Sequence, residues 1–293
     1  MEQDTPPARE TPLSQLRRLQ FIDFRLQWEG ELNRIDLQGH FRMSTPQASL
    51  DIAAYTKAAP NNLTYDRSTK SYVATDAFKP VFESSGAGQY LTQLFALNVG
   101  IVAPQDSPLG FHPPVATVPL PNRVARDDVL RWVVRAIAQR ETLDVDYQSI
   151  TREEARRRLV TPHALAQDGM RWHVRAYCHV RNGYRDFVIG RILAVHGMRA
   201  SNDDLGLDDE WEKLVTVVLA PHPELPVALQ KGVEIDFNMK RGQVTIECRQ
   251  AMLYYLFKAL GLSAKGKPLP GVRQVIVQNL EELAGFLPKL GQP

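Results

Sequence analysis

A chain of 293 residues with 44% hydrophobic and 23% charged residues holds enough apolar material for two or three folded domains and excludes a disordered tail. No apolar run approaches the roughly 18 residues of a spanning helix, and the polar, proline-bearing start MEQDTPPARETP is not a signal peptide, so the protein is expected in the cytoplasm without a membrane partner. Two cysteines, Cys178 and Cys248, lie far apart with no CxxC pairing, so neither a disulfide framework nor a zinc knuckle is implied, and the net charge of +2 is uninformative until divided along the chain.

Residues 1–80 carry ten Lys or Arg against ten Asp or Glu. From Ser14, the residues Leu16, Leu19, Phe21, Ile22, Leu26 and Trp28 fall largely at helical spacing and predict an amphipathic first helix, broken at Gly30. Leu32, Ile35 and Leu37 predict a short second helix ending near Gly39. A third begins at Ser44, with Ser44 as cap, Gln47 as its capping-box partner and Pro46 in the first turn. Its apolar face is Ala48, Ile52, Tyr55 and Ala59, and Thr45, Gln47, Ser49 and Lys57 form a small polar face suited to a major groove. Leu63 to Tyr65 and Ser71 to Val73 predict a hairpin whose tip carries Arg67 and Lys70, the form of a wing. An ordinary small α+β subdomain would show the same elements. The stretch STPQASLDIAAY, however, resembles the recognition helix of DeoR-type and WYL-associated winged helices. Leu50 departs from that pattern, in which many relatives carry Arg, and this points to a different operator.

Residues 81–122 have no cation, a helical stretch from Gln89 to Asn98, and a run containing Pro104, Pro108, Pro113, Pro114, Pro119 and Pro121. This composition predicts a linker helix and a stiff, extended connector to the next domain.

Residues 123–200 hold fifteen Arg, no Lys, and nine acids. Use of the planar guanidinium fork suits phosphate, although a preference for Arg codons would give the same count. A helix over Asp127 to Arg140 precedes strands predicted at Thr142 to Tyr147, Ala155 to Val160, Arg171 to His179 and Tyr184 to Ile189. In the third strand Trp172, Val174 and Ala176 are expected to pack while His173, Arg175 and Tyr177 face the other way. The segments YQS at Tyr147, LVTPH at Leu159, Trp172 to Tyr177 and FVIGRI at Phe187 resemble the WYL domain of bacterial transcriptional regulators, over about Arg123 to Met198. That resemblance implies an Sm-like, SH3-type β-barrel. The naming triplet reads Trp172-His173-Val174 here, as in the CapW and BrxR branch that regulates anti-phage defence operons. The family's ligand pocket carries over onto Tyr147, Ser149, His163, Arg175 and Arg191, with Trp172 and Tyr177 as neighbours. Two Arg, a His and two hydroxyls suit an anion, so a nucleotide or nucleic acid is the expected effector. The plainer alternatives are a capping His163, a core Trp172 and an Arg191 paired with Asp186.

Residues 201–293 predict strands at Leu214 to Leu219, Gly232 to Asn238 and Gly242 to Cys248, a helix from Gln250 to Leu260, and a strand and helix between Gln274 and Phe286. This resembles the extension that follows WYL domains and makes dimers. The overall expectation is an α+β multidomain chain: winged helix-turn-helix over 1–80, connector over 81–122, WYL barrel over 123–200 and dimerisation extension over 201–293. The resemblance implies a homodimeric repressor of a phage-defence operon that binds palindromic double-stranded operator DNA and responds to a ligand. Thr45, Gln47 and Ser49 would read bases, and Lys57, Tyr65, Arg67 and Lys70 would grip backbone. No cofactor or metal is expected. The chain has no GxxxxGK[ST], GxGxxG, GxSxG or HExxH, so it does not read as an enzyme. The competing class is an Sm-like module that binds RNA or single strands without operator specificity.

Overall fold

The computed structural model describes residues 12–82, 86–121, 123, 125–201, 205–262 and 274–286. Its contacts divide the chain into two compact units, 1–120 and 121–293.

In the first unit, α1 (Pro12–Glu29) buries Phe21, Ile22 and Leu26 along one face. Gly30, at φ +77°, turns the chain out of the helix in a conformation that costs other residues strain. Leu32, expected in a helix, lies instead in β1 (Glu31–Leu32). Consequently α2 (Arg34–Phe41) starts later, and it runs through Gly39 to a left-handed Arg42. Its start is fixed by a capping box that the apolar spacing does not reveal: Asn33 Oδ1 accepts from the Ile35 and Asp36 amides, and the Asp36 carboxylate accepts from the Asn33 amide. The third helix, α3 (Thr45–Ala58), begins at the Ser44 cap, whose hydroxyl accepts from the Gln47 amide at 3.4 Å. Strands β2 (Leu63–Asp66) and β3 (Ser71–Ala74) form the expected hairpin, and β1 completes a sheet of order β1-β3-β2. Ile22, Leu26, Leu37, Ile52 and Tyr55 are among the side chains of their shared core.

The linker helix is α4 (Ala87–Asn98). It and the proline-rich run pack on α1, so that run does more than space two domains. Leu94 and Leu109 are buried with Phe24, against Trp28, Tyr90 and Val115. The Gly110 amide donates to Glu29 at 2.7 Å, and a Cβ at Gly110 would meet the Arg25 guanidinium at 2.1 Å.

The second unit opens with α5 (Asp127–Gln139), which lays Val129, Val133 and Ala136 on a five-stranded antiparallel sheet. Its strands are β4 (Glu141–Tyr147), β5 (Arg156–Gln167), β6 (Trp172–Cys178), β7 (Gly183–Val188) and β8 (Ile192–Ala200), in the order β7-β6-β5-β4-β8. The expected barrel is not closed: β7 and β8 are edges, with no pairing between them among the described residues. Irregular register at Asp144/Val145, Asp146/Tyr147 and Pro162/Ala164 bends the strands without joining those edges.

A short helix, α6 (Asp209–Glu212), leads to the last layer: β9 (Leu214–Pro221), α7 (Val227–Asp236), β10 (Val244–Arg249), α8 (Leu253–Ala259), β11 (Val275–Val277) and α9 (Leu280–Leu283). Its sheet order is β10-β9-β11. The expected strand at Gly232 to Asn238 is overturned, since residues 232–236 finish α7; the strand-like alternation of Val233, Ile235 and Phe237 is not used, and Ile235 is left 74% exposed. No helix among the described residues is long and apolar enough to cross a membrane.

Candidate functional site

Helix α3 of the first unit is held in place by charge as well as by its apolar face. Arg18 of α1 donates from Nε to Asp51 at 2.6 Å and from Nη2 at 3.3 Å, with both side chains buried. Such a pair survives burial only because its geometry replaces lost water, and it ties α3 to α1. A second buried carboxylate, Asp23, accepts from the Tyr55 hydroxyl and from the amides of Val81 and Phe82. Burial, with Asp23 adding to it, pushes the Tyr55 phenol well above its ordinary pKa, so it remains a donor.

This frame sets what α3 displays. Thr45 is exposed and its hydroxyl accepts from Gln38 at 2.5 Å. Gln47 is half-buried, and its amide leans on Asp51 at 3.4 Å, so it does not return to the cap as a capping-box partner would. Ser49 donates to the Thr45 carbonyl at 3.1 Å. Lys57 is exposed in the last turn. At the wing, Asp66 accepts from the Ser68 amide and hydroxyl at 2.7 and 2.6 Å, which shapes the turn. Arg67 and Lys70 stand exposed at that turn, Lys70 in the left-handed region at φ +57°. The Tyr65 ring lies 5.0 Å from that of Tyr72, tilted at 58° to it, and the Tyr72 hydroxyl accepts from Arg34 at 3.1 Å. Arg34 is thus a cation of the wing base that helical spacing alone gave no reason to choose.

In the second unit the contacts of the seven expected pocket residues fall into two groups, with Trp172 in neither. His163, Arg175 and Tyr177 come together. His163 is the extra residue of the bulge between Pro162 and Ala164, which re-aims its side chain. Its Nε2 lies 2.9 Å from Asp208, and its ring packs edge-on against Tyr184 and Trp211 at 5.2 and 5.7 Å. Tyr177 packs edge-on against Tyr184 at 5.4 Å. Arg175 is 4% exposed and donates to Asp208 at 2.7 and 2.9 Å, to Glu210 at 2.6 Å and to Asp186 at 3.4 Å. Burial opposes the guanidinium charge, yet the Asp208 bonds and the neighbouring carboxylates outweigh it and hold Arg175 above its ordinary pKa. Burial likewise opposes the Asp208 charge, and Arg175 with His163 holds that carboxyl below its usual range. The face expected to be open is therefore covered, by Asp208, Glu210 and Trp211 and by Tyr255 of α8, whose hydroxyl donates to Asp186 at 3.0 Å. Asp186 is committed to Arg175 and Tyr255 rather than to Arg191.

Tyr147, Ser149 and Arg191 form a separate group. Tyr147 is buried, its hydroxyl accepting from the Val188 amide at 3.2 Å and its ring edge-on to Phe187 at 5.0 Å. Ser149 shares a hydrogen bond with Thr151 at 2.9 Å. The Arg191 carbonyl accepts from the Gln148 amide at 3.0 Å, and its half-buried side chain has no ion-pair partner among the described residues. Trp172, expected to pack with Val174 and Ala176, is 52% exposed and joins neither group. The decisive partners of Arg175 were missed by the sequence reading, although the acidic run at Asp208-Asp209-Glu210 beside an all-Arg domain carried the signal. Among the described residues, no cluster of three or more His, Cys, Asp or Glu is arranged to hold a metal ion.

Three segments of the chain match known family models. Residues 14–96 match the BrxR transcriptional regulator winged helix-turn-helix domain, 128–196 the WYL domain, and 214–283 the BrxR transcriptional regulator C-terminal dimerization domain. Similar proteins include the DNA-binding transcriptional repressor CapW of Pseudomonas aeruginosa, 41% identical over 98% of this chain and 99% of its own. CapW of Stenotrophomonas maltophilia is 42% identical over 93% and 92%, and CapW of Escherichia coli strain KTE188 is 38% identical over 98% and 96%. The solved structure of proteasome accessory factor B/C of Arthrobacter aurescens aligns at 18% identity with a TM-score of 0.27; 97% of this chain is covered, and 49% of the other.

Proposed function

The chain belongs to the family of the CapW DNA-binding transcriptional repressors, and from that membership we propose that it is itself a dimeric, operator-binding repressor whose WYL domain senses an anionic ligand. The observation that carries the DNA-binding half is the polar, exposed rim of α3 and the wing on a frame locked by the buried Arg18 and Asp51 pair. In this reading two winged helices occupy inverted half-sites of a palindromic operator. Thr45, Gln47 and Ser49 face base edges while Lys57, Tyr65, Arg67 and Lys70, joined by Arg34, face phosphates. Gln47 exchanges its weak contact with Asp51 for a base.

The sensing half rests on the cage around Arg175. An anion entering beside His163, Arg175 and Tyr177 takes the guanidinium only by displacing Asp208 and Glu210. Those acids lie between the segment matched as WYL, ending at 196, and the dimerization segment beginning at 214. Displacement would move the connection to the dimer-forming layer, which is the differential contact between two states that allosteric release of an operator requires. A nucleotide or nucleic-acid effector fits this exchange, and a phage-defence operon is the proposed target.

The test is retardation of the chain's own upstream duplex by purified protein, against a scrambled duplex, at two salt concentrations. Specific retardation that persists at the higher salt supports the reading. Equal, salt-sensitive retardation of both duplexes overturns operator recognition.

A further inference from the structure

The outward face of α3 is apolar at its middle. At about 100° per residue, Ala48, Ile52 and Tyr55 mark the side packed into the core, where each is at most 2% exposed. Asp51 beside them is held to Arg18 of α1. Directly opposite stand Pro46, Leu50, Ala53 and Lys57, all exposed, with Leu50 63% open to solvent. Thr45 and Ser49 fall on one flank of this stripe and Gln47 on the other. Each of those three polar side chains already has a partner within the unit. The Thr45 hydroxyl accepts from Gln38, the Ser49 hydroxyl donates to the Thr45 carbonyl, and the Gln47 amide reaches Asp51. Leu50 and Ala53 have no side-chain hydrogen bond to surrender and lose only water when they are covered.

An exposed leucine by itself is ordinary on a protein surface. This one lies on the outward midline of a helix within the segment matched as a winged helix-turn-helix. Lys57 stands on the same stripe in the last turn of α3, and Arg67 and Lys70 are exposed on the hairpin that follows. Cations beside an apolar centre complement a major groove, whose walls are phosphate and whose floor carries one apolar group, the thymine 5-methyl. We propose that Leu50, with Ala53 beside it, reads thymine through that methyl, so that each operator half-site carries thymine where the midline of α3 crosses the groove floor. Cytosine presents its N4 amino donor at the same edge, and a leucine laid over it would strand that donor without water or an acceptor. Leu50 thus selects by contact with thymine and by exclusion of cytosine. The inference rests on the operator-binding reading and adds to it the base that α3 prefers and the side chain that reads it.

The test is retardation of the chain's own upstream duplex by wild type and by Leu50→Ala, with thymines replaced one at a time by deoxyuridine. Deoxyuridine keeps every hydrogen-bonding group of thymine and lacks only the 5-methyl. At one or two thymines per half-site, wild type is expected to lose affinity about fourfold for the missing methyl. Leu50→Ala loses a comparable factor on the thymine duplex and is indifferent to deoxyuridine at those positions. The salt slope is the same for both proteins, because no phosphate contact is touched. Alanine favours a helix at least as well as leucine and the site is exposed, so the variant folds, which its urea midpoint verifies. Specific retardation by wild type that ignores every deoxyuridine overturns the inference and leaves the repressor reading standing. A deoxyuridine loss that is equal in wild type and Leu50→Ala gives the methyl to another side chain and overturns the role of Leu50. An equal loss by Leu50→Ala on both duplexes, with a changed elution volume of the DNA-free protein, makes Leu50 a contact between copies of the chain instead. Equal retardation of upstream and scrambled duplexes overturns the repressor reading and this inference with it.

Discussion

Arg175 and Asp208 meet in a two-pronged ion pair, Nε to Oδ2 at 2.7 Å and Nη2 to Oδ1 at 2.9 Å, with each side chain 4% exposed. The pair fastens the middle of β6 to the turn before α6, across 33 residues of sequence. Removing one partner of such a pair strands the other charge in low dielectric. Asp208→Ala is therefore expected to lower the unfolding free energy by about 3 kcal/mol, Glu210 and Asp186 recovering part of the loss. Urea denaturation followed by tryptophan fluorescence measures it, and a change below about 1 kcal/mol would mean the pair is not what holds this turn. Asp208→Asn should also let pyrophosphate raise the unfolding midpoint more than it does in wild type, because the competing carboxylate is gone.

The pair between Arg18 and Asp51 makes the same argument in the first unit, with a readout on DNA. Asp51→Ala is expected to cost about 3 kcal/mol, whereas Arg18→Met/Asp51→Leu, which removes both charges, should recover most of it. If rotation of α3 is what the pair controls, the double variant folds but discriminates less between operator and scrambled duplex. Retardation assays on the refolded double variant decide this, and undiminished discrimination would reduce the pair to a stability element.

Asp168 supplies a pH dependence whose sign is fixed. Burial raises its pKa, but the hydrogen bond to His173 and those from the Met170 and Arg171 amides prevail and hold it at about 2, against 3.8 for the free side chain. A carboxyl more acidic in the folded state contributes stability above about pH 4 and loses it as pH falls toward 2. Wild type should therefore exceed Asp168→Asn in stability at neutral pH, and the gap should narrow through that acid range. Denaturation midpoints of the two proteins at pH 7 and pH 3 measure it; a gap that widens in acid contradicts the assignment.

These partners also mark where local pattern stops being informative. The Ser44 cap, the apolar face of α3 and the wing hairpin were legible because each is written within a few residues. The alternation of β6 was read correctly for Val174 and Ala176, which are buried. It misled for Trp172, at the strand's exposed start, and for His173 and Arg175, because the side expected to be open is covered by residues from beyond position 205. A bulge at His163 changes which side chains meet, and register shifts are invisible to a period of two. The strand expected at Gly232 failed for the opposite reason: alternation over seven residues was present, but Pro226 sits at the helix start and Val233 supplies the buried contact.

The wing offers the cleanest separation of charge from fold. Arg67 and Lys70 are exposed, form no ion pair among the described residues, and flank a turn that Asp66 and Ser68 hold without them. Arg67→Ala/Lys70→Ala should leave thermal stability within about 0.5 kcal/mol, as expected of surface changes away from packing. If both cations neutralise phosphates, the slope of log affinity against log salt for operator duplex falls by about 1.8, two contacts at roughly 0.9 each. Affinity drops for operator and scrambled duplex alike, so the ratio between them survives. Loss of that ratio at constant slope would instead make the wing a base reader, and Thr45, Gln47 and Ser49 would have to share recognition with it.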